Sequence, residues 1–188
     1  MKSYQITEFC HQMLQKHIEK GDVCIDATAG NGRDTAFLCE QVGATGKVYA
    51  FDIQETALKN TECYLQNKGC DTQVKLILAG HESMENYIEE RAAAITFNFG
   101  YLPGGNHEIK TQAATSIQAI DAGLRLLKKG GIMSLCIYGS EEMGFEERDA
   151  ILSHLKQLNS AYYLVIVSQY YNRENHPPIP AFIIRIKE

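Results

Sequence analysis

Apolar residues along the chain fall into two spacings. Short, nearly continuous runs at Val23–Ile25, Lys47–Phe51, Val74–Leu78, Ala93–Phe97 and Ile132–Tyr138 predict buried parallel strands. Between them, apolar residues recur every three or four positions. Ile6, Phe9, Cys10, Met13, Leu14 and Ile18 predict an amphipathic helix ending near Gly21. Arg33–Val42, with Ala36, Phe37 and Leu38 inward, predicts a second helix, and Ala57, Leu58, Thr61 and Leu65 mark a third that stops near Gly69. Met84, Tyr87 and Ile88 share one face of a short helix. A long helix from about Lys110 to Leu127 is expected to bury Ala113, Ala114, Ile117, Ile120, Leu124 and Leu127, halting at Lys128-Lys129-Gly130-Gly131. Ile151, Leu152, Leu155 and Leu158 define the last helix.

The final two β-rich runs, Tyr162–Gln169 and Ala181–Lys187, have no helical pattern between them and predict an antiparallel pair joined through Asn172–Pro180. Strands alternating with helices predict a doubly wound sheet with right-handed crossovers. The expected class is therefore α/β, Rossmann-type: a seven-stranded, mostly parallel sheet with an antiparallel last strand. With 188 residues, 45% hydrophobic and 22% charged, residues 1–188 read as one domain.

The six cysteines form no Cys-x-x-Cys pair and no Cys/His set at zinc spacing, so no metal site is expected and a reducing, cytoplasmic setting is. The first residues lack a signal-peptide core, and no apolar stretch approaches the roughly 20 residues that cross a bilayer.

The chemistry concentrates at two strand-to-helix turns, where open α/β sheets bind ligands. In Asp26-Ala27-Thr28-Ala29-Gly30-Asn31-Gly32-Arg33-Asp34-Thr35, an acidic residue precedes a Gly-x-Gly turn by four positions. Gly30 and Gly32 let backbone approach a ligand, and Asp26 supports the loop and a cationic amino group. The second strand ends in Asp52, twenty positions past Gly32, where a carboxylate can accept both hydroxyls of a ribose. A dinucleotide fingerprint would want glycine where Thr35 stands, and Asp26 would oppose a pyrophosphate. The pattern favours S-adenosylmethionine as cofactor. The fourth strand runs into Asn98-Phe99-Gly100-Tyr101-Leu102-Pro103-Gly104-Gly105-Asn106-His107, a polar, aromatic and turn-rich loop fit to hold a methyl acceptor.

DATAGNGRDT (Asp26 to Thr35), FDIQ (Phe51 to Gln54), GHE (Gly80 to Glu82), NFGYLPGGN (Asn98 to Asn106) and NHPP (Asn175 to Pro178) resemble the small bacterial family labelled rRNA methylases. Its characterised members methylate wobble 5-aminomethyl-2-thiouridine in tRNA. The resemblance spans essentially the whole chain, and the Tyr-Leu-Pro-Gly-Gly loop is its most specific part. It implies an N-methyltransferase acting on the tRNA anticodon stem-loop, as a homodimer. It also implies a donor set of Asp26, Thr28, Gly30, Asn31, Gly32, Asp34, Asp52, Gln54, His81, Glu82 and Asn98. Asn98 and Tyr101 become the catalytic candidates, with Phe99, Gly100, Tyr101, Pro103, Gly104, Gly105, His107 and Arg173 at the substrate. Relatives often carry Asp-Lys where Asn106-His107 stands.

A net charge of −5 gives an RNA substrate no general electrostatic support, so any contact must come from local cations such as Arg173 behind Tyr170-Tyr171. Rival readings are a methyltransferase for rRNA or a small amine, a nicotinamide-dependent oxidoreductase, and a non-catalytic nucleotide-binding module.

Overall fold

A computed structural model describes residues 5–100, 111–139, 145–173 and 176–188. The chain order is α1 (Ile6–Leu14), β1 (Val23–Asp26), α2 (Arg33–Val42), β2 (Lys47–Asp52), α3 (Glu55–Lys68), β3 (Val74–Leu78), a 3-10 turn (His81–Asn86), β4 (Ala92–Phe99), α4 (Ala113–Leu126), β5 (Leu127–Ile137), α5 (Glu146–Gln157), β6 (Tyr163–Val167) and β7 (Ile179–Arg185). They build one seven-stranded sheet in the order β3-β2-β1-β4-β5-β7-β6. Neighbouring pairs are parallel except at β7, which runs antiparallel to both β5 and β6. β1 and β4 are central, so the turns that follow them lie side by side at the sheet's carboxyl edge.

Successive strand residues point to opposite faces, and the core divides accordingly. Ile25, Phe51, Ile95, Phe97, Met133 and Ile183 face the layer of α4, α5 and the 3-10 turn. Cys24, Val48, Ala94, Ile132 and Phe182 face α1, α2 and α3. Their alternation is why these runs form strands covered on both sides.

Four expectations shift. α1 ends at Leu14 rather than near Gly21, because the chain tightens there through His17 N–H to Leu14 O at 2.9 Å, although Ile18 stays buried. The short helix is a 3-10 turn in which Met84 and nearby Ile88 are buried but Tyr87 is not. α4 starts at Ala113 and buries Ser116, Ala119, Ala122, Gly123 and Leu126 besides Ile120 and Leu124, leaving Ala114 exposed and Ile117 half-buried. Lastly, β5 begins directly at Leu127 with a bulge opposite Ala92 and Ala94, so the Lys-Lys-Gly-Gly segment is strand rather than loop. The α4 carbonyl end is capped from the sheet instead: Arg185 Nη1 donates to Leu127 O at 2.7 Å and Leu124 O at 3.5 Å.

Candidate active site

The first turn is organised around Asp26, which is fully buried at the end of β1. Thr35 Oγ1 donates to its Oδ2 at 2.6 Å, while Thr28 N–H at 3.2 Å and Thr96 Oγ1 at 3.3 Å donate to Oδ1. Burial raises its pKa and neighbouring Asp34 raises it further, against the pull of those three donors. Asp26 thus serves the loop: it ties β1, β4 and the first turn of α2 into one unit. Thr35, read in the sequence as a missing third glycine, is there for its hydroxyl.

Gly30 and Gly32 adopt left-handed backbone, at φ 54 and 78. At Gly32 the packing is as restrictive as the torsion, since a Cβ would meet Thr61 Cα of α3 at 3.0 Å. Glycine at this position lets α2 begin against α3. Gly30 faces the second turn. Its N–H donates to Asp52 Oδ2 at 3.0 Å, and Gln54 N–H donates to Oδ1 at 2.9 Å. These two backbone donors fix the plane of a half-exposed carboxylate, leaving lone pairs on both oxygens for a vicinal diol. Ile53, 59% exposed beside it, offers an apolar surface that sequence reading overlooked. Asn31 is exposed and accepts from Asn60 Nδ2.

His81 turns inward. It is buried, hydrogen-bonded to the Ala27 backbone and edge-on to Phe97 and Phe99, at 5.8 and 6.0 Å. Desolvation lowers its pKa, so the ring is a neutral brace under the first turn. Glu82 is exposed.

The turn after β4 centres on Asn98. Its backbone N–H donates to Thr28 Oγ1 at 2.8 Å and its side-chain Nδ2 donates to Asp34 Oδ2 at 2.7 Å. Asp34 Oδ1 in turn accepts from His11 Nε2 at 2.7 Å, and the imidazole stacks on Phe37 with centroids 3.8 Å apart. Sequence reading missed His11 altogether. A crevice lined by Thr7, His11, Asp34, Asn98 and Ser134 opens on this chain of contacts. Phe99 is fully buried, and Gly100 lies against Tyr138, whose N–H donates to Phe99 O at 3.3 Å. Tyr101, Pro103, Gly104, Gly105 and His107 lie outside the described residues. The base of their loop is pinned: Thr111 N–H donates to Gly100 O at 2.9 Å and Thr111 Oγ1 to Glu147 Oε2 at 2.9 Å. Arg173 is exposed in the β6–β7 connection.

Five of the six cysteines are buried thiols, and Cys10 and Cys136 line the crevice beside Asn98. Cys10, Cys24, Cys39, Cys70 and Cys136 are buried, and burial pushes Cys10 up to about 11 and Cys24 and Cys136 to about 12.

The model of the family described as "Putative rRNA methylase" matches residues 48–184. The chain belongs to that family. It is 36% identical to the chloroplastic tRNA (mnm(5)s(2)U34)-methyltransferase of Arabidopsis thaliana, over 96% of this chain and 69% of that protein. A crystal structure of a family methylase from Clostridium thermocellum superposes with TM-score 0.96 at 38% identity, covering 99% of this chain and all (100%) of that one. A Streptococcus mutans methyltransferase solved in complex with SAH gives TM-score 0.88 at 36% identity, covering 98% and 99% of the two chains. The sheet of this family member is accordingly that of the class I methyltransferases. No helix among the described residues is long and apolar enough to cross a membrane.

Proposed function

We propose that the chain is an S-adenosylmethionine-dependent N-methyltransferase that converts the aminomethyl group of wobble 5-aminomethyl-2-thiouridine in tRNA to methylaminomethyl. The activity in the name of the Arabidopsis relative supports this reading at the level of the substrate. The observation that carries it is the orientation of Asn98. A carboxylate only accepts, so the Asp34 contact commits the Asn98 amide nitrogen and leaves Oδ1 as the end that can accept an N–H. That is the polarity an amine acceptor needs.

The residues present fit the methyl donor. Asp52 offers an oriented carboxylate to a ribose diol beside apolar Ile53. Asp34, in the first turn of α2, favours a sulfonium and an ammonium and opposes a diphosphate. The donor supplies a methyl group on a positively charged sulfur that leaves as a neutral thioether.

The protein's own contribution is placement. The acceptor nitrogen attacks with a free lone pair, in line with the breaking bond, and orientation of this kind contributes several kcal/mol, on the order of 7 or more in well-aligned systems. Asn98 Oδ1 accepts one amine N–H and so directs the lone pair. Asp34 and His11 hold Asn98 in that pose, and Tyr101 is the second proposed catalytic residue. The reading includes a cytoplasmic homodimer that binds the anticodon stem-loop. Light scattering on the eluted protein is expected at twice the chain mass, and one chain mass rejects the dimer.

The test is direct. Protein, S-adenosylmethionine and tRNA from cells lacking this methyl step are incubated, and the tRNA is digested to nucleosides. A gain of one methyl on 5-aminomethyl-2-thiouridine is expected; none rejects the substrate, and gain on rRNA or a free amine instead reassigns the acceptor class.

A further inference from the structure

We infer that the cleft between the end of β5, the first turn of α5 and the β6–β7 connection binds a backbone phosphate of the RNA substrate through Arg148, Arg173 and His176. This rests on the RNA reading above. Acidic residues outnumber basic ones, 23 to 18, so a polyanion needs a local cationic site. Arg148, Arg173, His176 and Gln169 line one cleft with Ile137 and Ile179 behind them. Every side chain in that polar group can donate a hydrogen bond, and no carboxylate is among the lining residues.

The cleft is built rather than incidental. The Arg148 guanidinium lies over the Phe145 ring at 4.1 Å, and Phe145 meets His176 edge-on at 5.3 Å. Gly139 permits this packing, because a Cβ there would meet Phe145 at 3.0 Å and the Arg148 side chain at 3.2 Å. Arg148 spends Nε and Nη2 on Asp149 Oδ1, at 2.8 and 2.7 Å, and keeps its Nη1 hydrogens for a ligand. Among the described residues no carboxylate pairs with Arg173. His176 is the one described non-glycine residue with positive φ, at 46, a conformation found more often at ligand sites than elsewhere.

Its place suits a phosphate next to the target nucleotide. Ile137 in the cleft wall pairs in register with Phe99 of β4 on one side and Ile179 of β7 on the other. The cleft therefore lies one or two strand spacings, about 5–10 Å, from the base of the acceptor loop.

The experiment measures binding of an anticodon stem-loop RNA over a salt series, for the unaltered protein, Arg173→Gln and Arg148→Lys. Arg173→Gln is expected to weaken binding about 5- to 30-fold and to lower the slope of log K against log salt by about 1. Arg148→Lys keeps the charge but loses the planar fork, and is expected to weaken binding with little change of slope. Calorimetry with S-adenosylmethionine alone checks that each variant is folded. Unchanged affinity and slope in both variants would overturn the cleft assignment. If the unaltered protein binds RNA but methylates no tRNA, the substrate reading fails while the variant slopes still decide the cleft. Competition by inorganic phosphate equal to that by RNA would replace the RNA backbone with a free anion as occupant and overturn the inference.

Discussion

Replacing Thr35 with Val removes one hydroxyl and nearly nothing else, and it probes the joint on which the first turn depends. Thr35 and Asp26 are both fully buried, and the lost bond is the 2.6 Å contact to Asp26 Oδ2. Hydrogen bonds to charged groups contribute about 1.5–3 kcal/mol, and a buried acceptor deprived of one keeps its desolvation cost. For a chain of this size the loss corresponds to a Tm drop of about 3–12 °C. Its pH dependence follows from the Asp26 carboxyl, whose pKa in the fold is raised above its ordinary value and is pulled down in part by Thr35. The folded state holds that proton longer than the unfolded one, so Asp26 costs stability as pH rises through its folded pKa. Without Thr35 that pKa climbs further. The Thr35→Val deficit should therefore be largest near about pH 8 and shrink toward about pH 5, where Asp26 is protonated in the fold. Urea unfolding at the two pH values, with calorimetry of S-adenosylmethionine binding, measures both consequences. An equal deficit at the two pH values, or none at the higher one, would refute the reasoning.

Three further outcomes are expected. Asp52→Ala removes the anchor for the Gly30 and Gln54 amides along with the proposed ribose acceptor, so calorimetry should show donor affinity falling on the order of 10- to 100-fold. Asp34→Asn presents an amide nitrogen to either His11 or Asn98, both of which donate; kcat for tRNA methylation should fall about 10- to 100-fold, with a smaller change in donor affinity. Of the six cysteines only Cys63 is exposed, so a disulfide reagent should titrate one thiol quickly in the native protein and all six after denaturation.

The sheet and the donor turns were legible because they depend on local signals. An apolar run that ends in a carboxylate marks both a buried strand and its candidate functional end, as at Asp26 and Asp52, and β1 and β2 fall where those runs lie. Features that depend on tertiary neighbours were not. His11 is 23 positions from Asp34, and only the packing of α1 beside α2 makes them partners. Gly32 looked like ligand clearance, whereas Thr61, on a helix not yet placed, decides the matter as much. The inward face of α4 was misread from its first residues because helical periodicity gives the pattern but not its phase, and Ala114 is as apolar as Ala119. Lys128-Lys129-Gly130-Gly131 carried the chemistry of a helix stop, but pairing with β4 recruited it into β5.

The reversed direction of β7 has a consequence for how such enzymes diverge. Inserted between β5 and β6, it leaves β6 running with the other parallel strands, so the hairpin after β6 emerges on the same rim as the glycine turn. Two stretches far apart in the gene thus share one rim while answering to different demands. Grafting a foreign hairpin onto this scaffold offers a route to new acceptors with the machinery for the methyl source left intact.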